Sequence, residues 1–98
     1  MASPFRYHKE AKLEFFEAVE WYEDKNPSKG QDFSDDFINT LYKILANPDT
    51  YRKVYGDYRR VQFDKFPYYV IYKNRAKTIH VVAVFHNKRN DTWKKRVH

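Results

Sequence analysis

Residues 59–85 read RRVQFDKFPYYVIYKNRAKTIHVVAVF, and their two-residue period sets the architecture. In Arg59–Phe63, Val61 and Phe63 fall on one face, so this piece reads as a strand. Asp64-Lys65-Phe66 forms a turn region. Pro67–Lys73 is dense in Tyr, Val and Ile, which suit a pleated surface, and reads as a second strand. Asn74-Arg75-Ala76-Lys77 is a short hairpin turn. Thr78–Phe85 is the most apolar run in the chain and is expected to be the central strand. Three consecutive strands with such short links form an antiparallel meander.

Upstream the period is helical. Ala11, Phe15, Ala18 and Tyr22 stand at i, i+4, i+7 and i+11, one stripe of a helix that Phe16 and Val19 widen. Trp21 and Tyr22 are expected to pack. Glu10, Glu14, Glu17, Glu20 and Glu23 fill much of the remaining surface. Pro27 disfavours helical geometry in the residue before it, so the helix should stop at Lys25-Asn26. A second helix follows, with Ser28 as candidate N-cap and a stripe of Phe33, Phe37, Leu41 and Ile44, flanked by Ile38 and Leu45. Asp32, Asp35 and Asp36 suit its N-terminal half, and Asn47-Pro48 ends it. Helices joined by so few residues run antiparallel as a hairpin. Phe5–His8 reads as a brief opening strand, Asp49–Asp57 as a polar connection, and Asn87–His98 as a polar stretch around Trp93, open to being a loop, a short helical turn or a frayed tail.

The expected fold is therefore α+β, in the order β-α-α-β-β-β: an antiparallel meander with a helical hairpin packed on one face. The opposite sheet face is expected to stay partly open. At 98 residues and 42% hydrophobic content, one domain over 1–98 is expected. The chain has no cysteine, which removes disulfides and thiolate metal sites. Its opening residues lack an apolar run, and no stretch approaches the ~20 apolar residues of a membrane helix. A cytoplasmic location without membrane contact is the expectation.

The net charge is +6 and it is uneven. From Asp49 onward thirteen Lys and Arg face four Asp. The second half should meet a polyanion or an acidic partner. His8, His80, His86 and His98 lack metal-ligand spacing, and two glycines, Gly30 and Gly56, cannot build a phosphate loop. No metal and no small-molecule cofactor is expected. What remains is basic and aromatic. Arg60, His86 and Arg89 could supply a proton-transfer group and cations for metal-free RNA cleavage. Arg59, Tyr68, Lys88, Trp93, Lys95 and Arg96 could hold a target or a nucleic acid. A plain nucleic-acid-binding module is compatible with the same residues.

These residues resemble the RelE/ParE toxin superfamily. The likeness rests on Ala18-x-x-Trp21-Tyr22, on Phe33-x-x-x-Phe37 and on Ile44-Leu45-Ala46-Asn47-Pro48. It continues through Tyr58–Tyr68, Ile71-Tyr72, Val82-x-Val84-x-His86 and Arg89. The resemblance implies the toxin of a type II toxin–antitoxin pair, silenced by a cognate antitoxin. One branch cleaves messenger RNA at the ribosome; the ParE-like branch poisons DNA gyrase. Gln62 and Tyr69 stand where the RNA-cleaving branch carries basic residues. Trp93 stands near where some members carry a catalytic tyrosine, and indole offers no acid–base proton. Phe66-Pro67-Tyr68 is closer to the ParE-like side. The resemblance thus implies a gyrase inhibitor, with a ribosome-dependent endoribonuclease as the alternative. Deleting Asn87–His98 is expected to abolish toxicity and leave the fold.

Overall fold

Pro27 divides the helical half at the place its chemistry dictates. In a computed structural model, which describes residues 3–97, α1 spans Lys9–Lys25 and α2 spans Pro27–Ala46. Asn26 serves both helices. Its backbone N–H closes α1 on the Tyr22 carbonyl, and its side chain accepts from the Ser28 amide to cap α2. The cap is thus Asn26 rather than Ser28, because Pro27 fits the first helical position, where an N–H would go unused.

Among the described residues the sheet has five strands: β1 (Phe5–Tyr7), β2 (Lys53–Tyr55), β3 (Tyr58–Gln62), β4 (Tyr68–Arg75) and β5 (Thr78–His86). Their order across the sheet is β1-β5-β4-β3-β2. The expected meander is β3-β4-β5, antiparallel throughout. Two strands extend it. β1 pairs in parallel with β5, from Phe5 opposite Ile79 to Tyr7 opposite Val81, which makes the sheet mixed. β2 arises inside the stretch read as a connection and pairs with β3 around Gly56, whose φ of 56° makes the tight reversal. β4, not β5, is the middle strand, although β5 has a neighbour on each side. Ala76 and Lys77 close the β4–β5 hairpin with φ of 51° and 64°, the two-residue turn that matches strand twist.

Two apolar layers follow from strand alternation. Val61, Phe63, Val70, Tyr72, Ile79, Val81 and Val84 face the hairpin and meet Ala11, Ala18, Phe33, Phe37, Leu41 and Ile44. Tyr72 donates to the Pro48 carbonyl at 2.5 Å, tying the end of α2 to the sheet. Tyr69, Ile71, Val82, Ala83 and Phe85 face the other way. That face is not left open. A 3-10 helix, Thr92–Val97, folds over it and inserts Trp93, which is 1% exposed, against Tyr55 and Tyr58. The tail is therefore part of the core, and deleting it would uncover this layer.

The helix stripes are narrower than the sequence suggests. Phe16 (63% exposed), Trp21 (55%), Ile38 and Leu45 point outward. Two acids sit inside instead. Asp36 of α2 is 4% exposed and accepts from the backbone amides of Asp64, Lys65 and Phe66 at 3.3, 2.8 and 3.1 Å. It fixes the β3–β4 loop that leads into Pro67-Tyr68. Glu14 of α1 is the other.

Candidate functional site

β1 stops at Tyr7, so β5 runs on from Val82 to His86 with no strand along that edge among the described residues. Side chains take over. Glu14 accepts from the Val84 amide at 3.1 Å, and Arg96 donates to the Val82 carbonyl at 2.9 Å. The two then join: Arg96 grips both Glu14 oxygens, while Arg89 reaches Glu14 Oε2 at 3.2 Å. A buried carboxylate is costly unless such donors satisfy it. The cluster locks α1, β5 and the 3-10 helix together. Arg96, expected among target-binding residues, is committed to this internal role, and its side chain is only 13% exposed.

Beside the cluster lies a groove of about 330 Å³ between α1 and the β5 edge. Ala18, Trp21, Tyr22, Tyr68 and Val84 form much of its lining, with Glu17, His86 and Arg89. Tyr68 sits within the hairpin-side core, in edge contact with Tyr22, Phe33 and His86. Burial raises the Tyr22 phenol above its ordinary range. Burial, and then Tyr22, does the same for Tyr68. Both phenols are thus protonated at neutral pH. His86 Nδ1 accepts from the Lys88 amide at 3.1 Å. A second, more apolar hollow of about 310 Å³ lies between Tyr7, Ala11, Phe15, Phe16, Phe37 and Val84.

The opposite sheet face carries the cations. The Arg60 guanidinium lies on the Tyr69 ring, 3.8 Å from its centroid, and Arg89 lies on the Phe85 ring at 3.9 Å. Tyr69 and Phe85 are paired neighbours on β4 and β5. Burial raises the Tyr69 phenol, with Asp91 adding to the effect. The departures noted in the sequence have structural uses here: Gln62 Nε2 donates to the Tyr68 carbonyl at 2.8 Å, and Tyr69 supports Arg60.

The candidate residues therefore separate. Arg60 lies on the face of the 3-10 helix, whereas His86 lies on the hairpin side against Tyr68. Arg89 stands at the sheet edge and reaches both. No trio of Arg60, His86 and Arg89 converges on one point. Arg59 points to the hairpin side and donates to the Tyr51 carbonyl at 2.7 Å, holding the α2–β2 connection. Trp93 is buried, so its ring is not presented to a base. Lys88 and Lys95 are exposed and form no ion pair among the described residues. No cluster of metal-ligating side chains occurs among the described residues, and no helix there is long and apolar enough to cross a membrane.

Sequence reading missed Glu14 and Asp36 as organising residues. The signal was present: Ala11-Glu14-Ala18 and Phe33-Asp36-Thr40 each fall at i, i+3 and i+7, so both acids sit on the buried stripe.

Residues 5–91 match the family model described as the ParE toxin of the type II toxin–antitoxin system parDE. Toxin ParE2 of Mycobacterium tuberculosis, in strains CDC 1551 / Oshkosh and ATCC 25618 / H37Rv, is 26% identical over 91 residues. That alignment covers 92% of this chain and 87% of the relative. A solved chromosomal ParDE toxin–antitoxin system from P. aeruginosa shares the fold, with a TM-score of 0.72 at 14% identity over 84% of this chain and 92% of that one. The chain belongs to the ParE toxin family, the toxin half of a type II toxin–antitoxin pair whose cognate antitoxin is its partner.

Proposed function

We propose that this toxin blocks growth by binding DNA gyrase in the cytoplasm, without a catalytic centre of its own. The observation that carries the reading is the separation of Arg60 from His86 across the sheet. RNA cleavage through a 2′-hydroxyl needs a base, an acid and cations around one phosphate. Here Arg96 is engaged by Glu14, and Arg60 and His86 face apart. Phe66-Pro67-Tyr68, fixed by Asp36, supports the ParE-like rather than the RNA-cleaving branch.

The antitoxin is neutralising by surface coverage in this reading. The exposed Leu13, Phe16 and Trp21 and the two hollows along α1 suit the apolar side of a partner segment. The basic second half suits an acidic one. The test is a gyrase supercoiling assay with purified toxin, alongside mRNA integrity after induction in cells. Stoichiometric loss of supercoiling, relieved by antitoxin, with intact mRNA is expected. Prompt mRNA cleavage with unaffected gyrase would refute the reading.

A further inference from the structure

The face opposite the hairpin is built in an unusual way for a solvated surface. Five cations lie over aromatic rings there: Arg60 on Tyr69, Arg89 and Arg96 on Phe85, Lys73 on Tyr58, and Lys94 on Tyr55. A guanidinium held over a ring keeps N–H donors available to an anion, and its side chain has already lost much of its freedom. Ordering that would otherwise oppose anion binding is thus done in advance.

The local acids cancel only part of this charge: Arg96, Arg89 and Lys94 have acidic partners. Arg60 and Lys73 form no ion pair among the described residues. Arg60 has only a 3.5 Å contact to Gln62 Oε1. Asp91 is engaged by Lys94 and the Tyr69 hydroxyl, Asp57 by Lys53 at 3.5 Å, and Glu14 by Arg96, Arg89 and the Val84 amide. Arg89 keeps about half its side chain exposed despite its contact with Glu14.

We propose that this face binds the phosphate backbone of duplex DNA, with Arg60 and Arg89 as the central contacts and Lys73 and Lys94 beside them. The rings decide between duplex and single strand. Single-strand binders offer open aromatic faces on which bases stack. Here Tyr69, Phe85 and Trp93 are each within 1% of full burial, and the outward sides of Tyr69 and Phe85 carry guanidiniums. At its centre the face offers cations and withholds rings, while Tyr55 and Tyr58 stay half-buried under Lys94 and Lys73; this suits sequence-independent contact with phosphates. The site is independent of the gyrase reading, since it concerns the toxin and DNA alone.

The experiment is fluorescence anisotropy with a short mixed-sequence DNA duplex, an RNA single strand of equal length and polyglutamate, from 50 to 200 mM salt. The full chain should bind the duplex with a Kd of about 10⁻⁴–10⁻⁶ M near physiological salt and bind the other two more weakly. Arg60→Gln and Arg89→Gln should each weaken binding roughly tenfold and flatten the slope of log K against log salt by about 0.9. Lys25→Gln with Lys29→Gln removes two charges from the hairpin side, twice the loss in either arginine variant, and should leave the slope unchanged. Arg60→Gln breaks no ion pair, so it carries the test even if Arg89→Gln unfolds the chain. A slope that falls as much in the lysine pair would overturn the site, as would tighter binding to RNA or polyglutamate, or no duplex binding at 100 mM salt.

Discussion

Replacing Asp36 tests whether one buried carboxylate organises the corner that leads into Tyr68. Its Oδ2 accepts from the Lys65 and Phe66 amides at 2.8 and 3.1 Å, and its Oδ1 accepts from the Asp64 amide at 3.3 Å. Hydrogen bonds to a charged group contribute about 1.5–3 kcal/mol each. The two short bonds dominate, giving about 3–6 kcal/mol. Asp64 and Lys65 are exposed, so water can reach amides that lose the carboxylate. That moves the expected cost of Asp36→Ala to the lower end, about 3 kcal/mol. Asp36→Asn can place its oxygen at the Oδ2 position and keep both short bonds. It then sets an amide N–H₂ only against the long Asp64 contact, so about 1–2 kcal/mol should be lost, mostly from the missing charge.

The assay is thermal and urea unfolding followed by tryptophan fluorescence, in which buried Trp93 reports the transition. For a domain of this size about 1 kcal/mol moves Tm by roughly 4–8 °C. Asp36→Ala should therefore lower Tm by about 12–24 °C and Asp36→Asn by about 4–16 °C. The order matters more than the size. If Asp36→Ala stays within about 4 °C of the parent chain, the carboxylate does not hold the loop. If Asp36→Asn is the worse of the two, the amides do not share the oxygens as described.

Two further outcomes follow from buried aromatics. The Tyr72 phenol is pushed from 10.0 up to about 12, chiefly by burial, so between pH 10 and 12 the folded state keeps a proton that the unfolded state releases. Stability should be unaffected by this group below pH 10 and fall by about 3 kcal/mol toward pH 12. Tyr72→Phe should remove that part of the alkaline loss, and an unchanged pH profile in denaturant titrations would contradict the assignment. Trp93→Ala should cost about 3–5 kcal/mol by emptying the layer under the 3-10 helix, read as a lower urea midpoint. Truncation before Thr92 should cost at least as much; a truncated chain of parental stability would show that the tail is not part of the core.

Much of this architecture was legible because period and punctuation agreed. The apolar alternation of Val61 and Phe63, the Tyr–Val–Ile density of β4 and the run Thr78–Phe85 gave the meander. Pro27 and Pro48 bounded α2. What sequence pattern could not supply was partnership at a distance. β1 joins in parallel beside β5, and nothing in Phe5-Arg6-Tyr7 says which edge it takes. β2 has three residues, and alternation over so short a span carries little information. The candidate site was less legible still. Arg59 and Arg60 are adjacent and look equivalent, yet alternation sends one to the Tyr51 carbonyl and the other to the Tyr69 ring. Trp93 sits among lysines, so its burial depends on a layer that only the assembled sheet creates. Glu14 and Asp36 looked like helix surface because acids usually are.

The uneven charge of this chain is also less uniform in use than in sequence. Arg59 and Arg96 are built into the fold through the Tyr51 and Val82 carbonyls, the latter with Glu14. Arg60, Lys73, Arg89 and Lys94 lie over rings on one sheet face, while the apolar hollows lie along α1 on the other side. Arg89 belongs to both: it lines the groove beside His86 and lies on the Phe85 ring. An antitoxin acid placed in that groove would draw on Arg89 and leave Arg60 undisturbed on Tyr69. On the two readings proposed for these faces, neutralisation would then remove one of the two central phosphate contacts rather than the whole surface. The antitoxin would weaken polyanion binding without abolishing it, because the sheet itself separates the places where the two partners act.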